Sequence, residues 1–323
     1  MFAVYADRPC FEDPLGALHL GEQPEPVVKN GWVRVKVSHA SLNRHDVFTL
    51  QGVTHHADPL VFPLILGNDG AGTLDDGTRV AIYPVVGSED WRGNETLDPH
   101  WHIFSERLPG TFADFIAVPR RNAIPLPASM PFDIAAVLGT AWLTAYRALF
   151  VRARIIPGQR LLVQGAKGGM ATALIQLGAA AGAEVWVTSR DESARSLAEV
   201  LGAARTFAAG EPLPHKVDIV VDNVGPATWE HSLDSVVRNG TIVLVGVTTG
   251  FEVVMPLLKA VSHQLSLLGS IMGTREDMIN LINMIEVSGI TPHIGKVFPM
   301  TEAREAFQAM WTGAASGKLV LAR

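Results

Sequence analysis

The sequence is expected to form an α/β protein of two domains, a doubly wound parallel sheet joined to a domain of short antiparallel strands, and three observations lead there. The first is size. A chain of 323 residues exceeds a typical single domain, and 48% hydrophobic against 18% charged residues supplies core for two. The second is a change of style near residue 130. Before it, short alternating strands such as 32–37 (WVRVKV), 78–82 and 115–118 are broken by Gly and Pro turns. After it, helical periods alternate with apolar runs at 217–221 (VDIVV), 241–245 (TIVLV) and 265–269. The third is the stretch 160–190, RLLVQGAKGGMATALIQLGAAAGAEVWVTSR, where strand, glycine turn, helix and strand follow without interruption.

Taken in order, the elements after the first domain are a helix over 135–150, the strand–helix–strand unit, and the three later strands. Helices near 277–287 and 301–312 and a last strand at 318–321 complete the chain. No internal repeat or low-complexity linker separates the parts, so they are expected to pack closely with the site in the cleft between them.

Composition excludes several classes of function. A net charge of −6 argues against a nucleic-acid surface, which needs a basic face. No apolar run reaches the roughly 18 residues of a membrane span. One cysteine, Cys10, rules out an internal disulfide, and the N-terminus MFAVYADRPCFED has charges where a signal peptide needs an apolar core. These features point to a cytoplasmic protein acting on a small molecule.

The glycine turn carries the chemistry. Gly165, Gly168 and Gly169, with Met170 opening the helix, place main-chain N–H groups where diphosphate oxygens must approach and a Cβ would obstruct them. Ala171 takes the third glycine position of such a fingerprint. At the tip of the second strand an Asp or Glu would accept from a ribose 2′-hydroxyl, but Ser189 and Arg190 stand there, with Arg195 one helical turn on. A hydroxyl and guanidinium groups suit a 2′-phosphate, so the expected cofactor is NADP(H). The competing reading makes both arginines solvated partners of Asp191 and Glu192. The tips of the later strands should border the same ligand, through Asn223 and Gly225 after one and Val245, Gly246 and Val247 after the next.

LNRHD at 42–46, LGNDGAG at 66–72, PGQRLLVQGAKGG at 157–169, DNVG at 222–225 and GKLVL at 317–321 together resemble the medium-chain dehydrogenase/reductase superfamily, over the whole chain. The nearest likeness is to its zinc-free quinone oxidoreductase-like branch. The resemblance implies a GroES-like β domain interrupted by a Rossmann domain, with boundaries at 1–130, 131–272 and 273–323, and a homodimer paired through the strand at 265–269.

Zinc is the sharpest test within that superfamily. Its alcohol dehydrogenases use cysteine and histidine ligands where this chain has Asn43, Asn68 and, in place of the second cysteine, Thr140. The four-cysteine structural site is also missing from the loop 87–109. Amides and hydroxyls are poor zinc ligands. His55 and His56, and His100 and His102, are weighed as metal ligands and read as loop residues, since no cysteine accompanies them. Trp91 and Trp101 read as packing residues or as the lining of a substrate mouth.

Without a Lewis acid, alcohol oxidation is difficult, whereas an enone or quinone needs only hydride delivery and hydrogen bonds to its oxygen. The expected function is NADPH-dependent reduction of such an acceptor. The alternatives are a zinc-type alcohol dehydrogenase with unusual ligands and a non-catalytic NADPH-binding protein. By resemblance, Asn43 is the candidate donor to the substrate oxygen, or else a tie for a loop or for the nicotinamide ribose. His45 is a candidate proton donor. A tyrosine that some relatives place five residues after the asparagine is Phe48 here, which leaves Tyr83 as a weaker candidate. Thr144 resembles a threonine that touches the cofactor phosphates, and Ser270, Met272 and Lys318 are placed by resemblance near the nicotinamide and the 2′-phosphate. Lys318 also reads as a surface lysine before an edge strand.

Overall fold

A computed structural model describes residues 1–54 and 58–323, and His55 and His56 lie outside the described residues. The chain forms two compact units, Met1–Leu143 with Gly273–Arg323, and Thr144–Met272. The change of style near 130 is therefore not the boundary. Ala135 and Ala136 of the helix Phe132–Ala136 are buried against strands of the first unit, which carries that unit past the expected end.

The first unit opens with β1 (Phe2–Ala6), β2 (Leu18–Glu22), β3 (Trp32–Ser41), β4 (Leu64–Ile65), β5 (Asp69–Leu74) and β6 (Arg79–Ile82). It continues with β7 (Val85–Val86), β8 (His102–Ile103), β9 (Phe115–Pro119) and β10 (Ala123–Pro125). Alternation explains the faces. On β3, Val33, Val35 and Val37 are buried while Lys36 between them is exposed. The core these strands enclose includes Phe104, Phe112, Ile116 and Leu50 of the helix Arg44–Gln51.

The second unit is a six-stranded parallel sheet. Its strands are β11 (Arg160–Gln164), β12 (Glu184–Ser189), β13 (Arg205–Ala208), β14 (Val217–Asp222), β15 (Val236–Leu244) and β16 (Ser266–Gly269), in the order β13-β12-β11-β14-β15-β16. The chain starts at the centre, runs to one edge, and returns to build the other half. That reversal puts the C-terminal tips of β11, β12 and β14 around a crevice, the place where such sheets bind ligands. Leu161, Leu162 and Val163 are fully buried, as a strand covered on both faces requires.

The tail, β17 (Ile294–Pro299) and β18 (Lys318–Ala322), returns to the first unit, where β18 lies between β3 and β17. Lys318 thus starts an interior strand, not an edge. The helix expected over 135–150 is also different in kind. The wider π form occupies Leu138–Trp142 and Arg147–Ala153, on either side of the α-helical Leu143–Tyr146. The first widened turn brings Gly139 so near Asp69 that a Cβ there would lie 2.9 Å from its carboxylate. No helix among the described residues is long and apolar enough to cross a membrane.

Candidate functional site

Within the first unit the polar residues gather around Asp69, the fully buried first residue of β5. Its carboxylate accepts from Ser41 Oγ at 2.9 Å, Asn43 Nδ2 at 2.9 Å and Lys318 Nζ at 3.3 Å, and also from Thr140 Oγ1. Lys318, 2% exposed, donates in addition to Leu42 O at 2.7 Å and to Asn43 Oδ1 at 2.6 Å. Burial pulls its ammonium below the usual lysine range, against the pull of Asp69 and Asp46. Both expectations for Lys318 are corrected. It is not at the surface, and its three protons are already taken by protein acceptors, leaving none for a cofactor phosphate.

Asn43 precedes the helix Arg44–Gln51, but its side chain does not cap it. One amide hydrogen goes to Asp69, and the other makes only a 3.4 Å contact with Ser41 O. The Lys318 ammonium on the amide oxygen draws electron density from the group and strengthens its N–H as a donor. Tyr83 is different. It is fully buried and its hydroxyl donates to Gly273 O at 2.9 Å, which corrects the expectation that it donates a proton to substrate.

His45 joins a pair that the sequence did not disclose. Its Nε2 lies 2.9 Å from Oε1 of the buried Glu106, whose Oε2 accepts from Ile103 N at 2.9 Å. Nδ1 faces Thr49 Oγ1 at 3.4 Å and Asn68 Nδ2 at 3.5 Å. Both ring nitrogens therefore address buried groups, and the imidazole ties its helix to the loop before Arg107. Asn68 donates to Phe104 O at 2.8 Å, while its Oδ1 is buried without a hydrogen-bond partner among the described residues.

A zinc ion does not fit these residues. Asn43 and Thr140 converge on Asp69 but offer an amide and a hydroxyl, Asn68 turns instead toward Phe104 and His45, and the ammonium of Lys318 already supplies the positive charge. Among the described residues no three His, Cys, Asp or Glu side chains are grouped to hold a metal. His100 donates its backbone N–H to Asp98, and His102 Nδ1 lies 3.4 Å from His100 O. The indole N–H of Trp91 likewise closes that loop on Asn94 O, while Trp101 is half-buried.

Asp46, fully buried, accepts from Asn43 N at 2.7 Å and Gly67 N at 3.2 Å. Burial pushes its carboxyl up to about 7 in spite of these bonds. In the unfolded chain it titrates near 4, so the unfolded state releases the proton first as pH rises. The stability that the neutral form confers is complete below about pH 4, falls as pH rises toward 7, and is gone above it. Urea unfolding of the native protein and of Asp46→Asn should therefore converge from pH 4.5 to 7.5, the gap changing by about 2–4 kcal/mol. A constant gap would refute the assignment.

In the second unit the strand tips form a second polar region. Gly165 ends β11 at φ +86°, and Gly168 begins the helix Gly169–Ala180 without a side-chain cap. A Cβ built on Gly168 meets nothing within 4 Å, so the space beside the helix start is open at that residue. Gly246 is needed for another reason, since a Cβ there would lie 2.3 Å from Asn223 O. Asp222 holds the intervening loop by accepting from Val224 N and Gly225 N, each at 2.9 Å. Val245 and Val247 flank Gly246, and Val247 is exposed. Thr144 Oγ1 approaches Met272 Sδ at 4.0 Å, and Ser270 Oγ is buried without a hydrogen-bond partner among the described residues.

At the β12 tip, Ser189 Oγ accepts from Asp191 N at 3.2 Å, and Arg195 Nη1 donates to Ser189 O at 2.7 Å. Arg195 thus braces the tip. Arg190 is exposed, with no hydrogen bond or ion pair among the described residues. The sequence reading missed Lys167, whose Nζ lies 3.0 Å from Asp191 Oδ2; only its place inside the glycine turn hinted at it. An uncapped helix start, a left-handed glycine and cations at the neighbouring strand tip fit a dinucleotide.

Such a sheet and tip suit a dinucleotide-binding protein. Residues 29–128 match the alcohol dehydrogenase GroES-like domain, and residues 169–287 match the zinc-binding dehydrogenase family. A zinc-type alcohol dehydrogenase-like protein of Schizosaccharomyces pombe is 29% identical over 90% of this chain and 90% of its own length. An acryloyl-coenzyme A reductase of Sulfurisphaera tokodaii is 25% identical over 95% of this chain and 97% of its own. An NAD-dependent alcohol dehydrogenase structure superposes with a TM-score of 0.92 at 28% identity, covering 100% of both chains. The chain belongs to the medium-chain dehydrogenase/reductase superfamily.

Proposed function

We propose that this protein is an NADPH-dependent reductase of quinones or α,β-unsaturated carbonyl compounds that works without zinc. The observation that supports it most is the Asp69 cluster, in which Asn43 and Thr140, placed by resemblance at or near ligand positions of zinc enzymes, are bonded to a carboxylate that pairs with an internal ammonium. Bound NADPH supplies a hydride to the acceptor. Asn43 then offers its weakly held amide hydrogen, polarised by Lys318, to the oxygen on which charge develops. The amides at Gly168, Gly169 and Met170 receive the diphosphate, and Ser189 and Arg190 receive the 2′-phosphate. Asn223, Gly225, Val245, Gly246, Val247, Thr144, Ser270 and Met272 line the remainder. The acryloyl-coenzyme A reductase relative supports a conjugated acceptor.

The test is NADPH oxidation with a panel of quinones and 2-enoyl compounds in the presence of a chelator, with metal content measured in parallel. Turnover without stoichiometric zinc is expected. Chelator-sensitive alcohol oxidation would return the protein to the zinc-dependent alcohol dehydrogenases, and NADPH binding without turnover would make it a binding protein.

The same reading includes a homodimer. β16 is an edge of the six-stranded sheet, and the helix Leu257–His263 beside it exposes Leu257 (75%), Leu258 (82%) and Val261 (74%). A second copy paired along β16 would bury them. Light scattering should give twice the 34.7 kDa chain mass, and Leu258→Glu should shift it toward the monomer. A monomer at micromolar concentration contradicts the proposal.

A further inference from the structure

The tip of β12 holds an ion pair whose parts come from two different turns. Lys167 belongs to the glycine turn after β11, and Asp191 follows Ser189 and Arg190. Asp191 Oδ1 accepts from Ser193 N at 2.9 Å, Ser193 Oγ at 2.7 Å and Ala194 N at 3.4 Å, while Oδ2 takes Lys167 Nζ at 3.0 Å. The bonds from Ser193, then that from Lys167, hold its carboxyl well below the usual carboxylate range. Both side chains remain about a third exposed, at 35% and 38%, so the pair meets solvent.

We infer that Lys167 selects the 2′-phosphate of the cofactor, with Asp191 as the anion that keeps its ammonium in position until the phosphate arrives. The inference rests on the NADPH reading and adds a residue to it. Lys167 stems from the turn that receives the diphosphate and reaches to the strand tip that borders the adenosine ribose. Arg190 beside it carries charge but is unrestrained, whereas the lysine is already held in one place. A phosphate monoester carries about −1.5 to −2 charges against one on the carboxylate, so it can draw the ammonium from Asp191. The carboxylate left behind opposes the phosphate. Glu192 adds negative charge on the same turn, and Arg195 is engaged on Ser189 O. Removal of the Asp191 charge should therefore strengthen phosphate binding.

Calorimetric titration of the cofactor-free full chain with 2′,5′-ADP and with 5′-AMP tests this without turnover. Native protein should prefer 2′,5′-ADP by about tenfold or more, Lys167→Met should remove about tenfold of that affinity and leave 5′-AMP within about twofold, and Asp191→Asn should raise 2′,5′-ADP affinity. If Lys167→Met keeps the preference and Arg190→Met abolishes it, the NADPH reading stands and the role of Lys167 falls. If native protein binds 5′-AMP as tightly as 2′,5′-ADP, the NADPH reading itself falls. Weaker 5′-AMP binding by Asp191→Asn would make Asp191 a ribose acceptor and overturn the inference. Arg190 is exposed and the side chains of Lys167 and Asp191 are about a third exposed, and unchanged circular dichroism of the three variants would confirm intact folding.

Discussion

Lys318→Met is expected to reduce the free energy of unfolding by about 3–5 kcal/mol, the cost of removing one partner from a buried ion pair. The methionine matches the lysine stem in length and apolar character, so little packing is lost. What is lost is the charge. Asp69 is fully buried and would keep only neutral donors from Ser41, Asn43 and Thr140, while Leu42 O and Asn43 Oδ1 lose their donor. The double variant Lys318→Met with Asp69→Asn removes the stranded carboxylate and should recover a large part of the loss. Urea unfolding followed by tryptophan fluorescence measures both. A single variant within about 1 kcal/mol of native would show that the pair is not a stability element.

The parallel sheet was legible because its signals are local. Glycines 165, 168 and 169 lie between two apolar runs, and observed β11 and β12 fall where those runs predict them. β14 and β16 also fall within a residue or two of expectation, β15 starts earlier, at Val236, and the edge strand β13 had no expected counterpart. The Asp69 cluster was not legible. Lys318 and Asn43 are 275 residues apart in the chain, and nothing near either residue signals the other. A lysine before an apolar run reads as a surface group unless the strand's neighbours are known, and β18 is interior only because β17 covers it. Tyr83 and Gly273 are 190 residues apart, so a hydroxyl that sequence position offered as a proton donor is consumed by a distant carbonyl. Glu106 had no signal at all. An acidic residue in a polar loop reads as solvated, and only the fold turns it inward to meet His45 and Ile103. The widened turn at Leu138–Trp142 escaped for a related reason, because apolar helical spacing does not distinguish the α form from the π form that brings Thr140 to Asp69.

Asn43→Ala is expected to lower kcat by about tenfold to a thousandfold while NADPH affinity stays near native. The argument is geometric. Of the amide's two hydrogens, one is fixed on Asp69 at 2.9 Å and the other has only a 3.4 Å contact with Ser41 O, so a substrate oxygen can take it at little loss. Lys318, at 2.6 Å from the amide oxygen, makes that hydrogen a stronger donor as negative charge grows on the acceptor. An interaction that strengthens in the transition state lowers kcat when removed, rather than raising KM alone. Asn43 is also part of a buried cluster, so the alanine variant should lose about 1–3 kcal/mol of stability through the unpaired groups it leaves. Rates must therefore be taken well below its unfolding transition. Unchanged kcat together with that stability loss would reduce Asn43 to a tie within the cluster. A fall in NADPH affinity would assign the amide to the nicotinamide ribose, the other role its sequence position allowed.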